Sequence, residues 1–313
     1  MMNKFPEIDI IIPVAGKGER LMPHTRYYQK CLLPVAGKPI LNHIIKNFEG
    51  LNINKIKLIT GHHSEQVEDF VMKRSDYKYE CIVQEEQLGL GHAIKLGLEK
   101  SDKPVLIVLG DSIFNINYKD FCSSVGSKIG VLEVKDPERY GIIEIRDKKI
   151  VKFVEKPKKP KSNLAQIGIY YIDSQINLLE SIEYIIKKNI KKNGEYQLPD
   201  AFQNMLENRH FFEYEVVKEY LDCGVIETML NSNKVLLSQN SKNYISQKSI
   251  VKNSNLEYCT ISDGCYIENS NLYNVILLNN TKIINQELSN KIIGCYSYDN
   301  KEKDIYDKER NVY

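Results

Sequence analysis

Ile8-Asp9-Ile10-Ile11-Ile12-Pro13-Val14-Ala15-Gly16-Lys17-Gly18-Glu19-Arg20 carries an apolar run directly into a glycine-rich loop. Aliphatics that do not alternate with polar residues suit a strand buried on both faces, as in a parallel sheet. Similar runs recur downstream at KIKLIT (55–60), CIVQ (81–84) and PVLIVLG (104–110). Between them lie helical patterns at PILNHIIKNF (39–48), SEQVEDFVMKR (64–74) and GHAIKLGLEK (91–100). Strand and helix in alternation predict a mostly parallel, doubly wound α/β sheet. Such sheets bind ligands beyond the carboxyl ends of their strands, so the loops starting at Ala15, Glu85 and Asp111 are the ones to inspect.

From about residue 128 the pattern becomes short alternating strands, GVLEV, YGIIEI, KIVKFVEK and QIGIYYID, separated by the turns DPERYG and RDKK. These predict antiparallel strands added to the parallel core. Residues 174–192 read as one amphipathic packing helix with Ile176, Leu179, Ile182 and Ile185/Ile186 on its apolar face, capped by Asp173 or Ser174. Beyond Gln239 aliphatics recur in steps of five and six: Ile245, Ile250, Leu256, Ile261, Ile267, Leu272, Leu278 and Ile283. A parallel β-helix needs one inward aliphatic per short face, so residues 240–295 are expected to form a short left-handed β-helix, with a β-meander as the alternative. An assumed three faces of six residues makes roughly 18 residues per coil, and about two coils. Residues 1–239 then form a catalytic domain, and the charged stretch 296–313 a tail.

The chain has 313 residues with 43 Lys+Arg against 41 Asp+Glu, a formal charge of +2, which argues against a polybasic nucleic-acid protein. Any anion must therefore be bound locally. No apolar stretch approaches the roughly 20 residues that cross a bilayer, so no membrane span is expected. The amino terminus has no signal-peptide pattern, and the seven cysteines show no CxxC spacing. Both fit reduced thiols and a cytoplasmic location.

In the first loop, Ala15, Gly16 and Gly18 let backbone N–H groups approach phosphate oxygens, and Arg20 can neutralise charge there. A plain turn would look the same. Lys30, ten residues on, supplies a second cation. Asp111 ends the VLIVLG run and Asp222 lies in EYLDCG; two carboxylates at strand ends can share one Mg²⁺ whose other ligands are waters and substrate phosphates. Each aspartate alone could equally be a turn residue. Glu155-Lys156-Pro157 fixes a carboxylate and a cation before a proline.

Taken in order, PVAGKGERLMPHT, QKCLLPVAGKPIL, QEEQLGLGHA, LGDSIF, DPERYG, VEKPKKPKSNLAQIGIYYID, GEYQLPD and YLDCG resemble the sugar-1-phosphate nucleotidyltransferases over about residues 8–295. The likeness is greatest to the long-form glucose-1-phosphate thymidylyltransferases with a C-terminal left-handed β-helix. The resemblance implies a Rossmann-like mixed sheet and transfer of a nucleotidyl group from a nucleoside triphosphate, dTTP or UTP, to a sugar-1-phosphate, glucose-1-phosphate first. The open end and edges of so short a coil need cover, which predicts a homo-oligomer. Arg20 and Lys30 would then hold the reacting phosphates, Asp111 and Asp222 the Mg²⁺, and Lys156 the sugar phosphate. Gln84 and Gly89 match base-reading positions, while Gly141, Glu155 and Ile167 match sugar-holding ones.

The chain departs from the family pattern at Glu19, where Thr or Ser is usual, at Gln29, at Leu198-Pro199-Asp200, and in having no tryptophan. Other readings are the same chemistry with CTP or another phosphorylated acceptor, and a catalytically weak binding subunit. Acyl transfer on the coil is disfavoured, because no histidine follows His210 to act as a base. The adjacent His62 and His63 are expected to cap a strand end rather than to hold a metal.

Overall fold

The computed structural model describes residues 6–239 and 241–294. The charged stretch 296–313 lies outside them. The chain divides into two compact units: the first holds the residues up to Gly16, Asn47–Gly110 and Phe114–Tyr220, the second Lys17–Lys46, Asp111–Ile113 and the chain from Leu221.

The first unit is built on a nine-stranded mixed sheet. The opening strand Ile8–Pro13 lies between Ile53–Thr60 and Val105–Val108, parallel to both, and Tyr79–Val83 extends the parallel side. Ile10, Ile11 and Ile12 are fully buried, as the unbroken apolar run requires of a central strand. The strand Leu164–Ile172 turns the sheet antiparallel by pairing with Val105–Val108, Ser127–Glu133 and Gly141–Arg146. Lys149–Glu155 then adds to Gly141–Arg146, and Phe212–Val216 pairs parallel with Ser127–Glu133. The expected antiparallel addition to a parallel core is therefore observed.

The helix expected over 174–192 spans Gln175–Lys187. Ser174 precedes it without a side-chain cap: its hydroxyl donates to Asp102, while Asp173 is engaged with Ser127 and His210. The helix stops early because Asn189 adopts φ 52°, and the Ile190 and Asn189 amides close back on the Ile185 and Ile186 carbonyls. Within the strand Ile53–Thr60, Lys57 is buried with its ammonium 2.7 Å from the Gly97 carbonyl, 2.8 Å from Glu99 and 3.6 Å from Asp9. Asp9 also accepts from Asn54 and Gln175, so the buried charges are compensated.

In the second unit a two-stranded hairpin, Pro34–Val35 with Lys38–Pro39, leads into the helix Ile40–Lys46. The long helix Ile226–Ser238 precedes the coil. The coil is a short left-handed parallel β-helix with three stacked faces. Its inward columns are Val251, Ile267 and Ile283; Leu256, Leu272 and Leu288; and Ile261, Leu277 and Ile293.

Equivalent residues are 16 apart, as in the Asn274–Asn290 and Asn255–Asn271 side-chain ladders, so the rung is shorter than the assumed 18. Tight corners account for it. Asn253, Asn269 and Asn285 stack at one corner, and Tyr258, Asn274 and Asn290 at another, all at φ between 45° and 55°. Asparagine tolerates this left-handed region, which turns the chain in a single residue. The shorter period also moves two expected inward positions. Ile250 faces out, 51% exposed, with Val251 taking the column, and Leu277 rather than Leu278 centres its face.

Candidate active site

Of the charges expected from sequence, Arg20, Lys30, Asp111 and Asp222 fall in the second unit and Lys156 in the first. Gly18 adopts φ 67°, and a Cβ there would fall 2.9 Å from Thr25 Cγ2 and 3.2 Å from Lys30 Cβ. The glycine is required because the Lys30 stem and Thr25 pack against it. Thr25 Oγ1 donates to the Gly18 carbonyl at 2.8 Å, tying the loop to the turn that follows. Glu19 and Arg20 begin a single 3₁₀ turn, Glu19–Leu21, with Leu21 buried and both charged side chains exposed. After a second 3₁₀ turn, His24–Arg26, Gln29 caps a third, Lys30–Leu32, by accepting from the Cys31 amide.

Lys30 Nζ lies 2.6 Å from Asp111 Oδ2. Burial works to raise the Asp111 carboxyl, but the charge and hydrogen bond of Lys30, the Ser112 hydroxyl and the Arg20 charge outweigh it and hold the group below the ordinary carboxylate range. The Cys223 amide donates to the Asp111 carbonyl at 2.8 Å, which fixes the adjoining Asp222 beside the same segment. Asp222 Oδ1 accepts from the Gly224 amide at 2.7 Å, and its main-chain carbonyl accepts from Ser232 Oγ at 2.8 Å. Among the described residues no three His, Cys, Asp or Glu side chains form a metal cluster. Two carboxylates alone suit a cation that takes its remaining oxygens from water and phosphate, so the donor set fits Mg²⁺.

Candidate binding positions fall in the first unit. The Ala15 carbonyl accepts from Gln87 Nε2 at 3.0 Å, and Ala15 packs on Gly61; a Cβ on Gly16 would meet nothing within 4 Å. Gln84 is buried, its amide bonded to the Thr60 carbonyl, its Nε2 3.4 Å from the Gly89 carbonyl and 3.1 Å from His92 Nδ1. Gly89, at φ 102°, leads into the helix Leu90–Gly97, and a Cβ there would strike Glu195 and the Tyr196 backbone within 3 Å. Gln84 and Gly89 are thereby held together at a helix N-terminus.

A second group surrounds Gly141. A Cβ on it would meet Glu155 Oε2 at 2.8 Å, Gln166 Nε2 at 3.1 Å and Pro199 Cγ at 3.2 Å. The Glu155 carboxyl is pushed up by burial, against the opposing charges of Lys156 and Lys192, with Asp200 adding to the rise. Lys156 sits at φ 40°, its ammonium 3.6 Å from Glu155 Oε1 and half exposed. Lys192 braces this turn from behind by donating to the Glu155 and Lys156 carbonyls.

Ile167, expected at the site from sequence, and its neighbour Gln166 have different surroundings. Ile167 is buried towards Gly130, while its neighbour Gln166 stands with Gly141 and Glu155. Gln166 Nε2 reaches the Ile142 carbonyl at 3.4 Å, and its Oε1, though buried, has no hydrogen-bond partner among the described residues. A buried acceptor left open is costly, and a ligand donor would satisfy it. Gln166 and Lys192 are the residues that sequence reasoning missed. The signal for Gln166 was a polar residue in an otherwise apolar strand, Leu164–Ile172.

A family model described as nucleotidyl transferase matches residues 10–239. The chain belongs to the nucleotidyl transferase family. Among its relatives it is 35% identical over 233 residues to the bifunctional protein GlmU of Methanocaldococcus jannaschii, covering 74% of this chain and 55% of that protein. It is 32% identical over 237 residues to the low-salt glycan biosynthesis nucleotidyltransferase Agl11 of Haloferax volcanii, covering 72% and 65%. The chain thus spans little more than half the length of the GlmU relatives it matches.

A crystal structure assigned as a glucose-1-phosphate thymidylyltransferase from Bacillus anthracis, solved with sucrose, superposes with a TM-score of 0.63 at 28% identity, covering 73% of this chain and 94% of that one. A UDP-glucose pyrophosphorylase structure, at TM-score 0.64 and 21% identity, covers 75% of this chain and 100% of that one and shares the fold. The nucleotidyl transferase match takes in Arg20, Lys30, Asp111, Lys156 and Asp222. Among the described residues no helix is long and apolar enough to cross a membrane, and no disulfide joins the six described cysteines.

Proposed function

We propose that this nucleotidyl transferase joins a nucleoside triphosphate, dTTP or UTP, to a sugar-1-phosphate, with glucose-1-phosphate the first acceptor to test. A phosphate oxygen of the sugar phosphate attacks the α-phosphorus, the bond from that phosphorus to the β-bridging oxygen breaks, and pyrophosphate leaves. Nucleophile and electrophile are both anions, so catalysis rests on charge cancellation and positioning. Arg20 and Lys30 hold the reacting phosphates and Lys156 neutralises the acceptor. Gln84 and Gly89 receive the base. Gly141, Glu155 and Gln166 receive the sugar, with Ile167 behind them. Asp111 and Asp222 are the residues that would hold Mg²⁺, which when bound neutralises phosphate charge.

The observation that carries this reading is Lys30 at 2.6 Å from Asp111, with Arg20 close enough to act on the same carboxylate. The names of the GlmU, Agl11 and thymidylyltransferase relatives support the same class. The division into catalytic residues 1–239 and coil residues 240–295 belongs to this reading. So does a homo-oligomer, motivated by Ile245 and Ile250 of the first rung, 44% and 51% exposed. Screening dTTP, UTP, CTP and GTP against a panel of sugar-1-phosphates for pyrophosphate release tests the function, and light scattering tests the assembly. Release with none of the pairs at saturating Mg²⁺ would leave the binding-subunit alternative in its place.

A further inference from the structure

Within the second unit one buried side chain joins three segments. Asn233, on the helix Ile226–Ser238, has no exposed surface. Its Oδ1 accepts from the Ala36 amide at 2.9 Å and from Thr260 Oγ1 at 2.6 Å, while its Nδ2 donates to the Tyr258 carbonyl at 3.0 Å. Ala36 is the left-handed turn residue, φ 48°, of the hairpin that follows Lys30–Leu32. Tyr258 and Thr260 belong to the coil. The adjoining Ser232 holds the Asp222 carbonyl, and Cys223, next to Asp222, holds that of Asp111. Successive residues of one helix therefore fix the carboxylate segment and the lysine hairpin, and the second of them is clamped by the coil.

Two further ties run the same way. The Tyr244 ring lies flat on Gly37, where a Cβ would come within 2.5 Å of three ring atoms. His24, in the turn between Arg20 and Lys30, bonds the Gly294 carbonyl at the end of the last described rung. A turn of left-handed residues has few bonds of its own, so its position depends on what grips it from outside.

We infer that Asn233 is a positioning residue for the transfer reaction: it locks the hairpin after Lys30 to the coil, so that the Lys30 ammonium is held where the reacting phosphates need it. The coil is then part of the scaffold of the reactive charges. This rests on the assignment of Lys30 to the phosphates. A buried amide whose donor and acceptors are all used holds a single geometry, and its loss leaves the Ala36 amide and the Tyr258 carbonyl to find other partners. A slightly displaced cation binds substrate nearly as before but stabilises the transition state less, so kcat falls more than KM rises.

The test is a double-mutant cycle on the full chain, read as kcat and KM for pyrophosphate release with folding checked by circular dichroism. Asn233→Ala is expected to lower kcat on the order of tenfold in the parent and less than twofold in a Lys30→Gln background. Leu272→Ala, a coil core substitution, is expected to lower Tm without that loss of kcat. If Asn233→Ala does not fold, Thr260→Val removes one of the two bonds between the node and the coil and should show a smaller loss with the same coupling. An undiminished Asn233 effect in the Lys30→Gln background overturns the inference, as does parent-like kcat in folded Asn233→Ala, or a Leu272→Ala variant that loses kcat equally. Parent-like kcat in Lys30→Gln itself overturns the Lys30 assignment and the inference together, whereas a large Lys30 effect uncoupled from Asn233 overturns the inference alone.

Discussion

Lys30 Nζ and Asp111 Oδ2 stand 2.6 Å apart although 81 residues separate them. The contact sets a cation against a carboxylate, and the Lys30 charge helps to hold the Asp111 carboxyl below the ordinary carboxylate range. In the proposed function this arrangement leaves neither charge uncompensated before a charged substrate arrives.

Removing either carboxylate should be severe. Asp111→Asn and Asp222→Asn are each expected to lower kcat on the order of a hundredfold or more, since each removes a metal ligand and a share of the charge balance. Turnover at saturating Mg²⁺ and substrate is the measurement; near-parent rates in both variants would show that the metal is bound elsewhere.

Glu19 is exposed at the start of its 3₁₀ turn, with Leu21 as that turn's buried anchor. A carboxylate in water is well screened, so Glu19→Thr should change the triphosphate KM less than about threefold. A large gain in triphosphate affinity would mean that the loop is tuned against binding, in line with the binding-subunit alternative.

Gln166 offers a buried acceptor beside Gly141 and Glu155. Gln166→Met keeps the length and removes the polar atoms. Kinetics with the preferred sugar phosphate should then show kcat/KM lowered roughly 10- to 100-fold, with the triphosphate KM little changed. An equal loss for both substrates would place Gln166 in general packing instead.

Burial lowers the His24 pKa to about 4, opposed in part by its bond to the Gly294 carbonyl, and its Nδ1 has no partner among the described residues. The unfolded chain takes up a proton near pH 6.5 that the folded state refuses until about pH 4. Stability from this residue is therefore unaffected at pH 7 and falls by about 3 kcal/mol as pH drops through that window. Denaturant unfolding at pH 7 and pH 4.5 should show a smaller acid loss in His24→Gln than in the parent; equal losses would rule His24 out as the source.

The opening strand, its glycine loop, the alternation of strands and helices, and the existence of a coil were all legible in the sequence. Each depends on local periodicity or on residues adjacent in the chain, and the physics that reads them is short-ranged: apolar runs for buried strands, glycine where φ is positive. The types of charge needed for phosphate chemistry were legible too. Tertiary structure alone decided how they meet. Gln166 stands with Gly141 and Glu155 while Ile167 turns towards Gly130, because adjacent residues of a strand point to opposite faces, and which face meets which neighbours is set by the pairing of the strand Leu164–Ile172. The 16-residue rung follows from asparagine corners that turn in one residue, which hydrophobic spacing does not specify. Asn233 looked like any polar residue of an amphipathic helix. Its three partners lie 25 to 197 residues away, and only folding brings a hairpin and a coil to the same amide.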